Sequence, residues 1–286
     1  MASALNRAVA AFLEGSARLT ERELEGEWAW REYDDGVRHA FFRTYEELRG
    51  LAVIIADRRQ VSQPLTSAQR ILAQVHQAQI DLDAVLLGVT DDLGGTAPTE
   101  GEWSVQQTMR HIIGTERQFY GRIHYAVERQ RSGTDRPLEM PEDELETFIG
   151  AHLNREALAP LPLTAVRLAM AGLHDRILTE LVDFSDDDLL APSVWWEERP
   201  YDVRFRMHRF DSHLRQHTVQ IEKILVALRE GPSEAKRLAR LVLGALAEVE
   251  GNLLGAPEVA ADLIQEFVDE LGARTASVAA SLLKIR

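Results

Sequence analysis

The chain contains no cysteine. That excludes a disulfide framework, a zinc site built on thiolates and a cysteine nucleophile. Any metal ligand must be His, Asp or Glu, and any thiol chemistry must draw on the thiol of a small molecule. Glycine and proline are sparse, at 18 and 10 of 286 residues, which argues against a fibrous or disordered chain. No run approaches the roughly 20 apolar residues of a membrane-spanning helix. The start, Met1-Ala2-Ser3-Ala4-Leu5-Asn6-Arg7, lacks the apolar segment of a secretory signal, so the cytoplasm is the expected location. Positive charge is short as well: 32 Lys and Arg stand against 46 Asp and Glu, for a net charge of -14. Nucleic-acid binding draws on a basic face that displaces phosphate counterions. Neither nucleic acid nor a membrane is therefore an expected partner, and the acidity accords with solubility. Alternating β-branched runs bounded by turn residues are missing too, so strands are not expected.

What is present is helical periodicity. Residues 3–20 and 37–58 carry amphipathic patterns, separated by a charged stretch containing Trp28, Trp30 and Tyr33. Four longer helices follow. The first is expected over about Thr66–Val89, with Ile71, Leu72, Val75, Leu82 and Leu86 on one face. The second begins at Ser104, where Gln107 completes a capping box, and runs to about Gln130. The third spans about Leu163–Phe184. The fourth runs from about Tyr201 to Arg229 and is stopped by Gly231-Pro232. Two more helices, split near Gly255-Ala256-Pro257, fill the remainder. The expected fold is all-α: a four-helix bundle over 63–231, an N-terminal helical extension over 1–62 and a C-terminal helical extension over 232–286.

Of nine histidines, His39, His76, His124, His152 and His174 are expected to be surface or satisfied core residues. His213 and His217 differ because they are spaced i, i+4, which puts their side chains on one helical face about 5–6 Å apart. Two imidazoles so placed can reach one ion at a Zn–N distance of about 2.0–2.1 Å. By helical angle they flank the stripe of Phe210, Leu214, Ile221, Leu225 and Leu228. His208 falls about 140° around that helix from His213 and is not expected to share a ligand. The pair lacks the Glu of an H-E-x-x-H motif, so zincin-type proteolysis is not indicated. A third ligand must come from another helix.

The segment Glu102-Trp103-Ser104-Val105-Gln106-Gln107-Thr108-Met109-Arg110-His111 resembles the second-helix motif of the DinB-like (DinB/YfiT) family, a Trp-Ser or Trp-Thr helix start with a His about two turns later. Asp211-Ser212-His213-Leu214-Arg215-Gln216-His217 resembles that family's last core helix. The resemblance covers residues 63–231. It implies an up-down-down-up four-helix bundle and a divalent metal held by His111, His213 and His217. Characterised members of the family include S-transferases and a maleylpyruvate isomerase that use low-molecular-weight thiols, and the lack of cysteine here fits an exogenous thiol. His111 stands off its helix's main stripe of Val105, Met109, Ile112, Phe119 and Ile123, so its aim toward the site rests on the resemblance.

Glu116 lies at the centre of that stripe, where a carboxylate needs a partner. An Arg of a neighbouring helix is the expected one; the alternative is the second ring nitrogen of a ligand His. Trp103 is expected to pack at the bundle end, and Trp195, Trp196 and Tyr201 to plug a loop or line a pocket mouth. Three neutral imidazoles on a zinc or nickel ion would leave a position open for water, giving a hydrolase, or for a thiol, giving a thiol transferase. The expected partner is thus a small-molecule substrate or thiol. The alternative function is a non-catalytic metal-binding or interaction module, with the extra helices serving a homodimer.

Overall fold

The computed structural model describes residues 3–31, 33–150 and 153–285; His152 lies outside the described residues. The helices are α1 (Ala4–Leu13), α2 (Glu21–Leu24), α3 (Val37–Ser62), α4 (Ser67–Val85), α5 (Asp91–Gly95), α6 (Val105–Ser132), α7 (Glu142–Ile149), α8 (Arg155–Leu158), α9 (Leu163–Leu181), α10 (Val203–Ala227), α11 (Glu234–Leu253) and α12 (Ala261–Ile285). No helix among the described residues is long and apolar enough to cross a membrane.

Two small antiparallel ribbons correct the expectation of no strands. In one, β1 (Glu27–Trp30) pairs with β2 (Tyr33–Gly36); in the other, β3 (Pro192–Val194) pairs with β4 (Pro200–Asp202). The signal in Glu27-Trp28-Ala29-Trp30 is an alternation of period two, too short to stand out beside helical patterns. It puts both indoles on one face, where their rings stack 6.0 Å apart. Arg31 turns that ribbon in a left-handed conformation, φ 55°. The helix ends also shift slightly. Gly133 (φ 61°) closes α6, whereas α10 ends at Ala227, before Gly231, and Arg229 takes the left-handed position at φ 66°.

The described chain forms two compact units. One comprises Met1–Leu65, Asp83–Gly88 and Pro232–Arg286. Its core draws on both ends of the chain, with Leu5, Trp28, Phe41, Leu48, Ile55, Leu246 and Leu271 all buried. Two arginines close it. Arg274 is fully buried and donates to Thr44 Oγ1 (2.9 Å) and to the carboxylate of Glu47 (2.7 Å). Arg59 donates to the carbonyls of Asn252 (3.2 Å) and Leu254 (2.8 Å), placing a cation where the last carbonyls of α11 lack partners.

The second unit comprises Thr66–Leu82 and Val89–Gly231 and contains the expected all-α four-helix bundle, built from α4, α6, α9 and α10. The apolar stripes face inward: Leu72 and Val75 on α4, Ile112 and Phe119 on α6, Val166 and Ile177 on α9, Phe210 and Ile221 on α10 are all buried. Burying each such side chain contributes about 1.5–3 kcal/mol. One polar pair sits among them. His76 Nδ1 of α4 lies 3.0 Å from His174 Nε2 of α9, and the rings stack. Burial, with His76 alongside, lowers the pKa of His174 to about 3.

The β3–β4 ribbon is tied to α10 by one side chain. Arg206 is fully buried. Its Nη1 donates to both carboxylate oxygens of Glu197 (2.9 and 2.8 Å), its Nε to Ser193 Oγ (3.2 Å) and its Nη2 to the carbonyls of Ser193 and Arg199 (3.3 Å each). The guanidinium also lies over the rings of Trp195 (4.3 Å) and Tyr201 (4.8 Å). Removing one partner of a buried ion pair costs about 3–5 kcal/mol. Because Glu197 keeps some contact with solvent, Arg206→Ala is expected to cost about 3 kcal/mol in urea unfolding, with a red shift of tryptophan emission as Trp195 is exposed. A loss below about 1 kcal/mol would contradict this role.

The histidine pair sets a pH dependence. An unfolded chain takes up a proton at position 174 below about pH 6.5, whereas the folded chain refuses it until about pH 3. This contribution is therefore intact above pH 6.5 and is lost as pH falls toward 3. In chelator-treated protein, His174→Gln should make the fall in unfolding free energy between pH 6 and 4 shallower by about 1.4 kcal/mol per pH unit, the linkage of one proton. Parallel slopes for variant and wild type would refute it.

Candidate metal centre

The site is built where α6 and α10 pack together. Ser104 caps α6: its hydroxyl accepts from the Gln107 backbone N–H, while the Gln107 side chain accepts from the Ser104 N–H. This is the expected capping box, and it sets the phase of α6 two turns ahead of His111. Asp202 caps α10 by accepting from the Phe205 N–H. His213 and His217 then project on one face, with ring centroids 4.5 Å apart. His111 approaches from α6, at 5.4 Å from His213 and 4.8 Å from His217. One ring nitrogen from each of the three lies within 4.8 Å of the others.

The three rings meet at the margin of the α6–α10 interface. His213 and His217 flank the apolar stripe of α10, and His111 flanks that of α6, so a residue off its helix's main stripe is the one able to face them. His213 and His217 are buried and His111 is the least buried of the three. His208 is exposed and lies outside the cluster.

Glu116 has the partner that the structure assigns against expectation. Its Oε1 lies 2.8 Å from His213 Nδ1, and Glu116 itself is buried. The arginine next to it, Arg117, instead pairs with Glu146 of α7 at 2.6 Å. With Glu116 ionised, Nδ1–H donates and His213 Nε2 carries the lone pair. That Nε2 atom is sealed from solvent and has no hydrogen-bond partner among the described residues. His217 is oriented the same way: Nδ1–H donates to Gln220 Oε1 at 2.8 Å. An amide oxygen can only accept, so Nε2 is again the nitrogen with the lone pair.

Electrostatics keep the rings neutral. Burial, then the neighbouring His217, lowers the pKa of His111. Burial lowers that of His217 against the opposing pull of Gln220. Burial, with His217, His111 and Arg209 adding to it, brings His213 down to about 3. Burial also pushes the Glu116 carboxyl well above the usual range. A cation placed at His213 Nε2 would oppose that rise and favour the carboxylate.

Aromatic side chains frame the rings. Trp103 stands 5.2 Å from His111, and Phe119 stands 5.5 Å from His213, edge-on. Trp195 is buried against Phe119 at 5.1 Å, a plug, whereas Trp196 beside it is 54% exposed. Trp103 is 43% exposed and so is not the packed end piece that its place before the cap suggests. Two participants were not singled out from the sequence. Arg209 precedes His213 by four residues and Gln220 follows His217 by three, so both spacings place them beside the pair.

Residues 74–221, just over half of the chain, match the DinB superfamily. The chain belongs to that superfamily. Among solved structures, YfiT from Bacillus subtilis, described as a probable metal-dependent hydrolase with an unusual four-helix bundle topology, is 13% identical; the match covers 57% of this chain and 87% of that one, at a TM-score of 0.43. No curated protein matches the chain.

Histidine NMR tests the tautomers directly. In 15N-histidine-labelled, metal-free protein, His217 should be the neutral Nδ1–H tautomer. His213 should remain uncharged at pH 5, two units above its lowered pKa. Gln220→Leu should abolish the tautomer preference at His217. An imidazolium signal from His213 at pH 5 would refute the arrangement.

Proposed function

We propose that this DinB superfamily chain is a metal-dependent enzyme acting on a small molecule, with His111, His213 and His217 holding one divalent ion, zinc or nickel. The observation that carries the reading is the convergence of three ring nitrogens within 4.8 Å, with the outer nitrogens of His213 and His217 already engaged by Glu116 and Gln220. The residues fit such an ion. Neutral imidazole is a standard ligand for zinc and nickel, and the buried Nε2 of His213 has no partner among the described residues. An outer carboxylate on a ligand His is a recurrent means of fixing ring and tautomer.

Three protein ligands, rather than four, favour catalysis over a purely structural role, because a position stays open. The chemistry an ion supplies there is Lewis-acid activation of a bound oxygen or sulfur. The chain's own residues would do the rest. The imidazoles bring no negative charge to offset the ion, Glu116 fixes His213, and Phe119 with Trp195 keeps water from the inner side. Transfer to water would make the chain a hydrolase. Transfer to a low-molecular-weight thiol would make it an S-transferase, and with no cysteine in the chain that thiol would be a second substrate. The charge of -14 favours small-molecule partners over nucleic acid. A non-catalytic metal-binding role, in a homodimer or otherwise, is the competing outcome.

Metal analysis of protein purified without chelator should find about one equivalent per chain. Each of His111→Ala, His213→Ala and His217→Ala should abolish tight binding, whereas His208→Ala should not. Glu116→Gln should weaken affinity by about 10- to 100-fold. Helix content by circular dichroism should survive in each variant, because apolar burial holds the bundle; chelation should lower Tm only modestly, through lost linkage. Stoichiometric metal persisting in the combined His213→Ala, His217→Ala variant would overturn the site. Activity against ester and amide panels, and against electrophiles with added thiol, would identify the acceptor. Loaded protein inactive in all of them would favour the non-catalytic role.

A further inference from the structure

We propose that Arg209 is the anion-binding residue of this site and that the small molecule it receives carries a carboxylate attached to an apolar body. The inference deepens the metal-dependent reading, on which it rests for the position of the reacting centre.

The argument starts from the contrast between two arginines on one helix. Arg206 is buried and every nitrogen of its guanidinium donates to oxygen, including both oxygens of Glu197. The guanidinium of Arg209, three residues on, has no hydrogen bond and no ion pair within the described residues, and its Nε is sealed from solvent without a partner; the other arginines with a sealed Nε each donate through another nitrogen. Leaving a buried donor unmade is costly, and more so for a charged group. On the outer surface of the same helix Arg215 pairs with Asp211 at 2.8 Å, so even an exposed arginine has a counterion where one is at hand. Arg209 is held instead by rings: its guanidinium lies 5.8 Å from both Phe119 and Trp196. Such contacts position a guanidinium on its face and leave its planar edge, the part that matches a carboxylate in two parallel bonds, for another partner.

The position gives this unpaired cation its meaning. Arg209 and His213 are i, i+4 neighbours on α10, and both lie against the ring of Phe119. The buried carboxylate of the site, Glu116, is taken by His213. The cation therefore belongs to the site but has no anion in it.

The second observation is apolar. Trp196 and Trp103, each near half exposed, stand on two sides of the histidines: Trp196 against Phe119 (5.9 Å), and Trp103 against His111 (5.2 Å). Large aromatic faces left in water next to a polar cluster are a usual composition of a small-molecule site. An anion with an apolar body satisfies both features. Its carboxylate would meet Arg209, and its body would cover indole, with the other end toward the three imidazoles.

The test uses the full chain, with metal content measured in parallel, and takes benzoate as the probe, with benzamide as its neutral counterpart and phenylphosphonate as the phosphate-like one. Binding is followed by calorimetry and by quenching of tryptophan emission. Benzoate should bind wild type, more weakly as salt rises, and Arg209→Met should weaken it by about tenfold or more while metal content stays unchanged. Benzamide should bind the two proteins alike. Arg209→Lys, which keeps charge but loses the fork, should fall between them and serves if the Met variant folds poorly. Equal benzoate affinity in wild type and in both variants would overturn the proposal, as would Arg209-dependent binding of phenylphosphonate without binding of benzoate. If metal is absent but benzoate binding still depends on Arg209, the metal reading fails and the anion site stands. If metal is present and benzoate binding ignores Arg209, the reverse holds.

Discussion

A carboxylate buried in the middle of a helix bundle has to find a donor, and Glu116 finds it on the facing helix, at Nδ1 of His213, 2.8 Å away. Much of the site follows from that one bond. It joins α6 to α10 at a specific register, since a shift of one residue on either helix would turn its side chain about 100° away. It orients the His213 ring, and so directs Nε2 into the space shared with His111 and His217. It also engages the buried carboxylate of the facing helix, and the Arg209 guanidinium has no ion pair among the described residues. A bundle held only by apolar stripes tolerates small slips in register; this buried polar contact does not.

The surroundings serve the same end by different means. The five-residue connection carrying Trp195 and Trp196 is tied to α10 by Arg206, which donates to Glu197, Ser193 and Arg199. Two adjacent tryptophans thereby take opposite roles, one a buried plug and the other a half-exposed surface. Outside the bundle, the unit made from both ends of the chain uses a similar tie in its own core, where Arg274 is wholly buried and its two Nη groups donate to Thr44 and Glu47. Among the described residues, the other arginines with a sealed, unpartnered Nε (Arg110, Arg117, Arg122, Arg129 and Arg274) each donate through another guanidinium nitrogen, whereas Arg209 does not, and this makes its isolation informative.

Family membership and histidine geometry bear on different links of the functional argument. The DinB superfamily match over residues 74–221 accounts for the bundle and the order of its helices. It does not by itself say what a given site binds. The geometry supplies the chemical part: neutral rings, the His217 tautomer set by Gln220 and that of His213 by an ionised Glu116, and a His213 Nε2 with no hydrogen-bond partner among the described residues.

Local pattern alone decided a good deal. The period of 3.6 in the apolar residues is written into every long helix, the Ser104–Gln107 box marks the start of α6, and the i, i+4 spacing of His213 and His217 places them together on any helix. These depend on residues within a turn or two of one another. Other features depend on contacts between segments far apart in sequence. The partner of Glu116 could not be chosen from the chain: an arginine is the expected donor, and only the setting of α6 against α10 puts a histidine there instead. His111 looked misplaced on its own helix and is well placed only because the rings of α10 stand at the flank of theirs. The two ribbons depend on three or four residues of alternation in each strand, which carry little signal beside long helical periods. The isolation of Arg209 belongs to the tertiary structure entirely: Arg206, Arg209 and Arg215 look alike in sequence, and only folding decides which acquires a counterion, because ion pairing depends on distances that a sequence does not contain.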